Sequence, residues 1–206
     1  MQLTVRYTHN QPAQRFTMWL SIVAIAMTFA GFTSAFIVRK GAGGAWLGVD
    51  LPVSFTITTI LILFSSLTLQ VAHISNKKQN KLLTTVGLFF TLVFGISFCI
   101  MQYIGWHNLV EQGFFPSFNP NPAPQYFFAL VLINALHVIG GLLFLLIAFY
   151  NSMMGLRRSD SNEVISLLEE NEKGYFRIRT DLLTIYWHFI GILWLYIFIF
   201  LTINLK

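Results

Sequence analysis

Charge is what this sequence has least of. Only 10% of its 206 residues are charged and 55% are hydrophobic, and the mean hydropathy is +0.66. A soluble protein of this length needs more polar surface, so the composition excludes a soluble domain and indicates a chain whose main solvent is lipid. The length is enough for one helical bundle but leaves no room for a sizeable second domain.

Cysteine and proline are also scarce. The single cysteine, Cys99, excludes a disulfide within the chain and a cysteine-based metal site. Four of the six prolines lie in FFPSFNPNPAPQ, which predicts an extended connection. The net charge of +5 comes from basic residues in connections between apolar runs, a pattern that indicates membrane topology and not nucleic-acid binding.

Five apolar runs without Asp, Glu, Lys or Arg are each long enough to cross a bilayer, which takes about 20 helical residues. The first run is too long for a signal peptide, so we expect it to stay in the mature protein. Asp50 and Pro52 predict the cap and the start of the second helix. The predicted fold is all-α, a bundle of five transmembrane helices over residues 16–205 that follows a cytoplasmic segment, residues 1–15. The predicted spans are 16–38, 51–74, 82–104, 126–150 and 182–205.

Basic residues divide unequally between alternate connections. The N-terminal segment and the second and fourth connections hold ten Lys and Arg, whereas the remaining connections and the C-terminus hold three. Because Lys and Arg favour the cytoplasmic side, the N-terminus is predicted inside and the C-terminus outside. The fourth connection also contains Val164, Leu167 and Leu168 at helical spacing, which predicts a short amphipathic helix on the inner surface.

Tryptophans near span ends predict interface anchors on both sides of the membrane. Trp46 and Trp106 fall at the predicted outer ends, and Trp19 and Trp187 near the inner ends. Two stripes of small residues at helical spacing predict helix contacts. These stripes are Ala26, Ala30 and Ser34 in the first span, and Gly87, Thr91 and Gly95 in the third.

Polar side chains inside the spans are few and uncharged, so the usual marks of a proton pump, an ion-coupled transporter or a voltage sensor are missing. His137 and His188 fall at depths that differ by roughly 10 Å at helical rise, which disfavours a shared haem because a bis-histidine haem needs both at one level. Asn134, His137 and Gly141 form one helical stripe, which favours packing with a hydrogen bond from a neighbouring helix.

The fifth span begins with a cluster of aromatic residues. Tyr186, Trp187, His188 and Trp194 could fill the lipid-facing surface, which is the commoner use of such residues, or form a bed for a lipid acyl chain. The sequence offers no nucleophile with a base, no phosphate-binding loop and no paired carboxylates. Residue patterns alone therefore indicate a helical membrane subunit without a catalytic site.

The order of five motifs resembles subunit III of the haem–copper oxidases, of the cytochrome c oxidase type, in its short five-span bacterial form. The resemblance runs from about residue 18 to residue 201, and YWHF followed by a tryptophan in the fifth span is its most specific part. The motifs are, in order, MWLSIVAIAMTFAGFTSAFIVRK, LPVSFTITTILILFSSLTLQVA, GLFFTLVFGISFCIMQYIGW, FFALVLINALHVIGGLLFLL and YWHFIGILWLYIF.

Four positions depart from the family's pattern. Ile25 replaces a membrane-buried glutamate, Ile104 replaces a carboxylate of the third span, and Gly191 replaces the aspartate that follows YWHF. Asn134 stands at the first histidine of the fourth-span pair. The resemblance implies helix-packing or lipid-cleft roles for a set of residues, whereas no catalytic, cofactor or metal residue is expected. The set is Trp19, Asn134, His137, Gly141, Tyr186, Trp187, His188 and Trp194.

The resemblance implies a non-catalytic subunit of a bacterial cytoplasmic-membrane oxidase in aerobic electron transport. Haem and copper would belong to the partner subunits, while this chain would stabilise the catalytic subunit I, contact other oxidase subunits and bind phospholipid. Membership of a respiratory supercomplex is a variant of this interpretation. Two alternatives stay open at this point: an accessory subunit of a nitric oxide reductase and, less favoured, a free-standing membrane transporter.

Overall fold

The computed structural model describes residues 11–43, 46, 48–116, 121–157 and 166–205, and every regular element in these ranges is an α-helix. All five helices are long and apolar enough to cross a membrane. The predicted all-α bundle with five membrane helices is therefore confirmed. In chain order the helices are α1 (Gln11–Gly41), α2 (Val53–Lys77), α3 (Lys81–Glu111), α4 (Ala123–Arg157) and α5 (Ser166–Asn204).

The helix starts differ from those predicted. Helix α2 begins directly after Pro52, with no side-chain cap, so Asp50 is not the N-cap. Helix α4 begins at Ala123, whose N–H donates to Asn121 Oδ1 at 3.1 Å. Pro124 therefore lies in the first turn of α4 and not in an extended connection, which is allowed because the first helical N–H groups have no partner within the helix.

The N-terminal part of α5 also departs from expectation. A separate short amphipathic helix was predicted around Val164, Leu167 and Leu168, yet α5 is continuous from Ser166 to Asn204. Val164 lies outside the described residues. The described part of the predicted segment is thus the first turn of the fifth membrane helix.

The five helices give the bundle two ends, which we name by the chain termini. The N-side is where α1 begins and α2 joins α3, and the C-side is where α5 ends. Helices α2 and α3 form the most extensive helix pair among the described residues. They approach closely at Gly87, where an added Cβ would lie 2.8 Å from Ala72 Cβ. Such glycine contacts let helix backbones approach closely in lipid, where the hydrophobic effect does not drive helices together.

Among the described helices, α1 packs against α4 and α5, and it is the least buried of the five. Polar contacts to α5 or its end occur at three levels. Arg15 approaches Asp181 at 3.9 Å on the N-side, and the Thr33 hydroxyl lies 3.0 Å from the Tyr196 hydroxyl near the middle. On the C-side the Lys40 ammonium donates to the Asn204 carbonyl.

Candidate functional site

Trp187 occupies the centre of the bundle, between α3 and α4. Its side chain is fully buried, and a Cβ on Gly141 would lie 2.9 Å from its Cζ3 atom. A Cβ on Gly95 would lie 3.2 Å from Cη2 and from Cζ2 of the same ring. The indole therefore fills a slot that exists because two helices carry glycine there, and Trp187 is not the interface anchor that the sequence predicted.

The indole N–H of Trp187 continues into a chain of hydrogen bonds across three helices. It donates to Ser65 Oγ of α2 at 3.0 Å, and Ser65 donates in turn to the Thr91 carbonyl of α3 at 3.2 Å. The Thr91 hydroxyl lies 2.9 Å from the Thr68 hydroxyl. A buried polar group without a partner is costly, so this chain both satisfies the indole and fixes the register of α2, α3 and α5.

Trp194 repeats the arrangement two turns further along α5. It is also fully buried, and its N–H donates to Thr59 Oγ1 of α2 at 3.1 Å. Its ring meets Phe98 edge-on at a centroid distance of 5.3 Å and stacks on Phe55 at 6.1 Å. Trp187 and Trp194, which we call the tryptophan column, thus pack helices together, so they do not fill the lipid-facing surface as the sequence suggested.

The fourth-span stripe is buried at Asn134 and Gly141 and half-buried at His137, but its hydrogen bonds differ from expectation. His137 Nδ1 lies 2.7 Å from the Ile133 carbonyl of its own helix, so the imidazole's partner is not on a neighbouring helix. The bond between helices comes from the half-buried Tyr186, whose hydroxyl donates to the His137 carbonyl at 3.1 Å. Asn134 is fully buried, and neither atom of its amide has a partner.

His188 lies on a different seam, between α5 and α2. Its Nε2 atom is 3.2 Å from Gln70 Oε1. The His137 ring instead meets Phe29 of α1 edge-on at a centroid distance of 6.2 Å. The two imidazoles therefore face different helices and do not share a space in which one haem would fit.

One polar cluster on the N-side was missed by the sequence reasoning. Asp181 Oδ1 lies 3.4 Å from His73 Nδ1, and Asp181 Oδ2 lies 3.9 Å from Arg15. Asp181 lies one residue before the predicted fifth span, 182–205, and so falls in the predicted fourth connection. The available signal was its position one turn from Arg177 and two turns from His188 on one helix face.

One of the two small-residue stripes lies in the interior, whereas the other stripe and Trp19 lie on the surface. Gly87, Thr91 and Gly95 lie in helix contacts, whereas Trp19 is 57% exposed. The other stripe is exposed along its whole length in the described bundle, so its residues do not lie in the buried interior. That exposed stripe comprises Ala26, Ala30 and Ser34.

The positions that depart from the family's pattern carry no charge to replace the missing carboxylates. Ile25 packs against the core, Ile104 is 41% exposed, and a Cβ on Gly191 would lie 3.2 Å from Ser66 Oγ. Among the described residues, no group of three or more His, Cys, Asp or Glu could hold a metal ion.

Comparison with known proteins gives the same family as the motif order. No family model matches the chain. The chain is 30% identical over 189 residues to cytochrome bo(3) ubiquinol oxidase subunit 3 of Pseudomonas aeruginosa, covering 89% of this chain and 81% of that protein. The subunit 3 of the same name from Pseudomonas putida is 26% identical and covers 87% and 80%.

Two further relatives widen the family. A probable cytochrome c oxidase subunit 3 of Rickettsia prowazekii is 24% identical over 75% of this chain and 48% of its own length. A haem–copper oxidase subunit I+III of Aeropyrum pernix is 26% identical over 89% of this chain and 22% of that longer protein. With its five apolar helices and near full-length relatives, the chain is a multi-pass membrane protein of the haem–copper oxidase subunit III family.

Proposed function

We propose that this chain is the non-catalytic subunit III of a respiratory haem–copper oxidase, where it stabilises the catalytic subunit. The observation that carries the proposal is the near full-length match to proteins named oxidase subunit 3. The interior supports it, because the tryptophan column joins α2, α3 and α5 through hydrogen bonds to Ser65 and Thr59. Oxygen reduction, haem and copper belong to the partner subunits in this proposal.

The proposed partner is subunit I. The Aeropyrum relative carries the name subunit I+III, so in that protein the two subunits are one chain. A fused relative favours direct contact between the corresponding separate chains. Other oxidase subunits, and a respiratory supercomplex around them, are further partners in this proposal.

The proposed location is a bacterial cytoplasmic membrane, with the N-side facing the cytoplasm. This orientation places the inner cluster of Arg15, His73 and Asp181 at the cytoplasmic surface, together with most Lys and Arg of the connections. Phospholipid is expected on the outer surface of the helices, where Trp19 and many large apolar side chains are exposed.

Relatives named for ubiquinol and for cytochrome c both match, so the proposal concerns the oxidase class and not the electron donor. The test is purification in mild detergent from the native membrane through a tag on this chain, followed by an absorption spectrum and metal analysis. Co-purified haem with copper in a complex containing subunit I is the expected result. Haem b with non-haem iron would identify a nitric oxide reductase, and a colourless single chain would refute both assignments.

A second measurement tests the stabilising role. Removal of this chain from the purified complex should leave the initial turnover nearly intact and shorten the time over which activity survives. The matched control is the same detergent treatment without removal of the chain. Full long-term activity after removal would contradict the proposed role.

A further inference from the structure

Two amide side chains in the bundle interior have no hydrogen-bond partner. Asn134 of α4 is fully buried and Gln102 of α3 is 3% exposed. Both polar atoms of each amide are buried and unpartnered. Burial of an amide in an apolar interior without a hydrogen bond is destabilising, and most buried polar groups in proteins therefore have a partner.

The contacts between α3 and α4 place these amides at one level. The Thr85 hydroxyl lies 2.6 Å from the Ser152 hydroxyl. Gly95, ten residues after Thr85, faces Leu142, which is ten residues before Ser152. Continuing the same antiparallel register puts Gln102 opposite residue 135, the neighbour of Asn134. The two amides are therefore within one residue of the same depth.

The tryptophan column shows that the amides also face the same space. A Cβ on Gly95 and a Cβ on Gly141 would both lie against the six-membered ring of Trp187. Gln102 is seven residues after Gly95, and Asn134 is seven residues before Gly141. Seven residues make two helical turns of about 10 Å, so both amides lie on the faces that contact Trp187, two turns nearer the C-side.

The buried tryptophan of α5 at this level does not supply the missing partner. Trp194 is two turns after Trp187 on α5, and its N–H donates to Thr59 of α2, away from α3 and α4. Its ring packs on Phe98, one turn before Gln102. The space between the amides is thus bounded by an aromatic wall whose only polar atom is already bonded.

From this geometry we infer an internal water site between Gln102 and Asn134, with one or more water molecules bridging the two amides. Buried waters typically make about three hydrogen bonds to otherwise unsatisfied polar groups, and the two amides offer both donors and acceptors. The polar atoms are shielded from outside solvent, so this water is enclosed and exchanges slowly. The site would bind α3 to α4 at the depth where the helices carry no charged group.

The first test is a structure of the intact complex at a resolution that shows ordered water. The expected result is a density peak at hydrogen-bonding distance from both Gln102 and Asn134. A direct amide-to-amide hydrogen bond without such a peak would overturn the inference, and so would an acyl chain in the space. Because the site does not depend on the identity of the complex, loss of the oxidase assignment would leave this result unaffected.

The second test uses the isosteric pair Asn134→Thr and Asn134→Val, compared by thermal melting of the purified complex. A hydroxyl can bond a bridging water, whereas a methyl group of the same shape cannot. The comparison is made at the melting temperature of Asn134→Val. At that temperature, the ratio of folded to unfolded protein should be several-fold larger for Asn134→Thr. Equal stability of the two variants would count against the water site. The matched control is Val138→Thr, one turn away, where the added hydroxyl has no amide opposite and should not stabilise.

Discussion

Substitution of Gly87 by alanine tests whether helix contact in this bundle depends on missing side chains. The added Cβ would lie 2.8 Å from Ala72 Cβ and 3.1 Å from both the Cα and N atoms of Ala72. Two of these three atoms are backbone, so the clash cannot be relieved by a rotamer change. Helices α2 and α3 must move apart along their contact.

The magnitude follows from comparison with Gly31→Ala on α1, where a Cβ would meet nothing within 4 Å. Both substitutions gain the same intrinsic helix propensity, about 1 kcal/mol, so the difference between the variants isolates the overpacking cost. Overpacking costs about 1–3 kcal/mol, and the backbone contacts favour the upper half of that range. For a chain of this length, about 2–3 kcal/mol corresponds to a difference in melting temperature of roughly 4–12 °C.

The assay is thermal melting of the purified complex, with retention of oxidase turnover as a second readout. Gly87→Ala should melt well below Gly31→Ala. Adding Ala72→Gly to Gly87→Ala removes the nearest of the three atoms and should restore part of the loss. Equal melting of the two single variants, or no recovery in the double variant, would refute the packing argument.

Two further predictions concern polar contacts of α5. Ser65→Ala leaves the buried Trp187 N–H without its acceptor and should destabilise the protein by about 1–3 kcal/mol. The control, Ser34→Ala on the exposed face, should change the stability by less than about 0.5 kcal/mol. Equal melting temperatures of the two variants would exclude the Trp187–Ser65 hydrogen bond as a stabilising contact. Asp181→Asn should cost less than about 1 kcal/mol, because the Arg15 contact is exposed and 3.9 Å long and the amide oxygen of asparagine can still face His73, 3.4 Å away. Its effect should shrink in high salt, and a large salt-independent loss would show that the carboxylate has another role.

The five helices could be predicted from the sequence because uninterrupted apolar runs of this length have few alternatives. Their ends could not, because polar residues continue a helix beyond the lipid. Helix α1 begins at Gln11, although the apolar run begins at Phe16, and α4 includes Pro124 in its first turn. Hydropathy reports whether a side chain prefers water or lipid, whereas the position of a helix end depends on backbone hydrogen bonding.

Burial was harder to predict than helix position. Trp187 was expected at the membrane interface and is fully buried, because Gly95 and Gly141 on two other helices make space for its ring. The exposed stripe containing Ala26 has the same small-residue pattern as the buried stripe containing Gly87. A single sequence shows which residues would allow two helices to approach closely, but which helix packs there depends on the tertiary structure. Asp181 was missed for the related reason that its contact residues, Arg15 and His73, lie on two other helices.

The distribution of these contacts explains how a bundle with no fully buried charged residue in its described part could serve as the rigid support that we propose. Helices α2, α3 and α5 are joined through the interior by the tryptophan column, so their relative positions are fixed by packing that lipid cannot replace. Helix α1 is attached mainly along one face, with polar contacts to α5 at its two ends and near its middle. A subunit that stabilises a neighbour needs such rigidity more than it needs reactive groups. The departures that the resemblance implies at Ile25, Ile104 and Gly191 are therefore compatible with the proposed supporting role, because the hydrogen bonds of the tryptophan column go to Ser65 and Thr59.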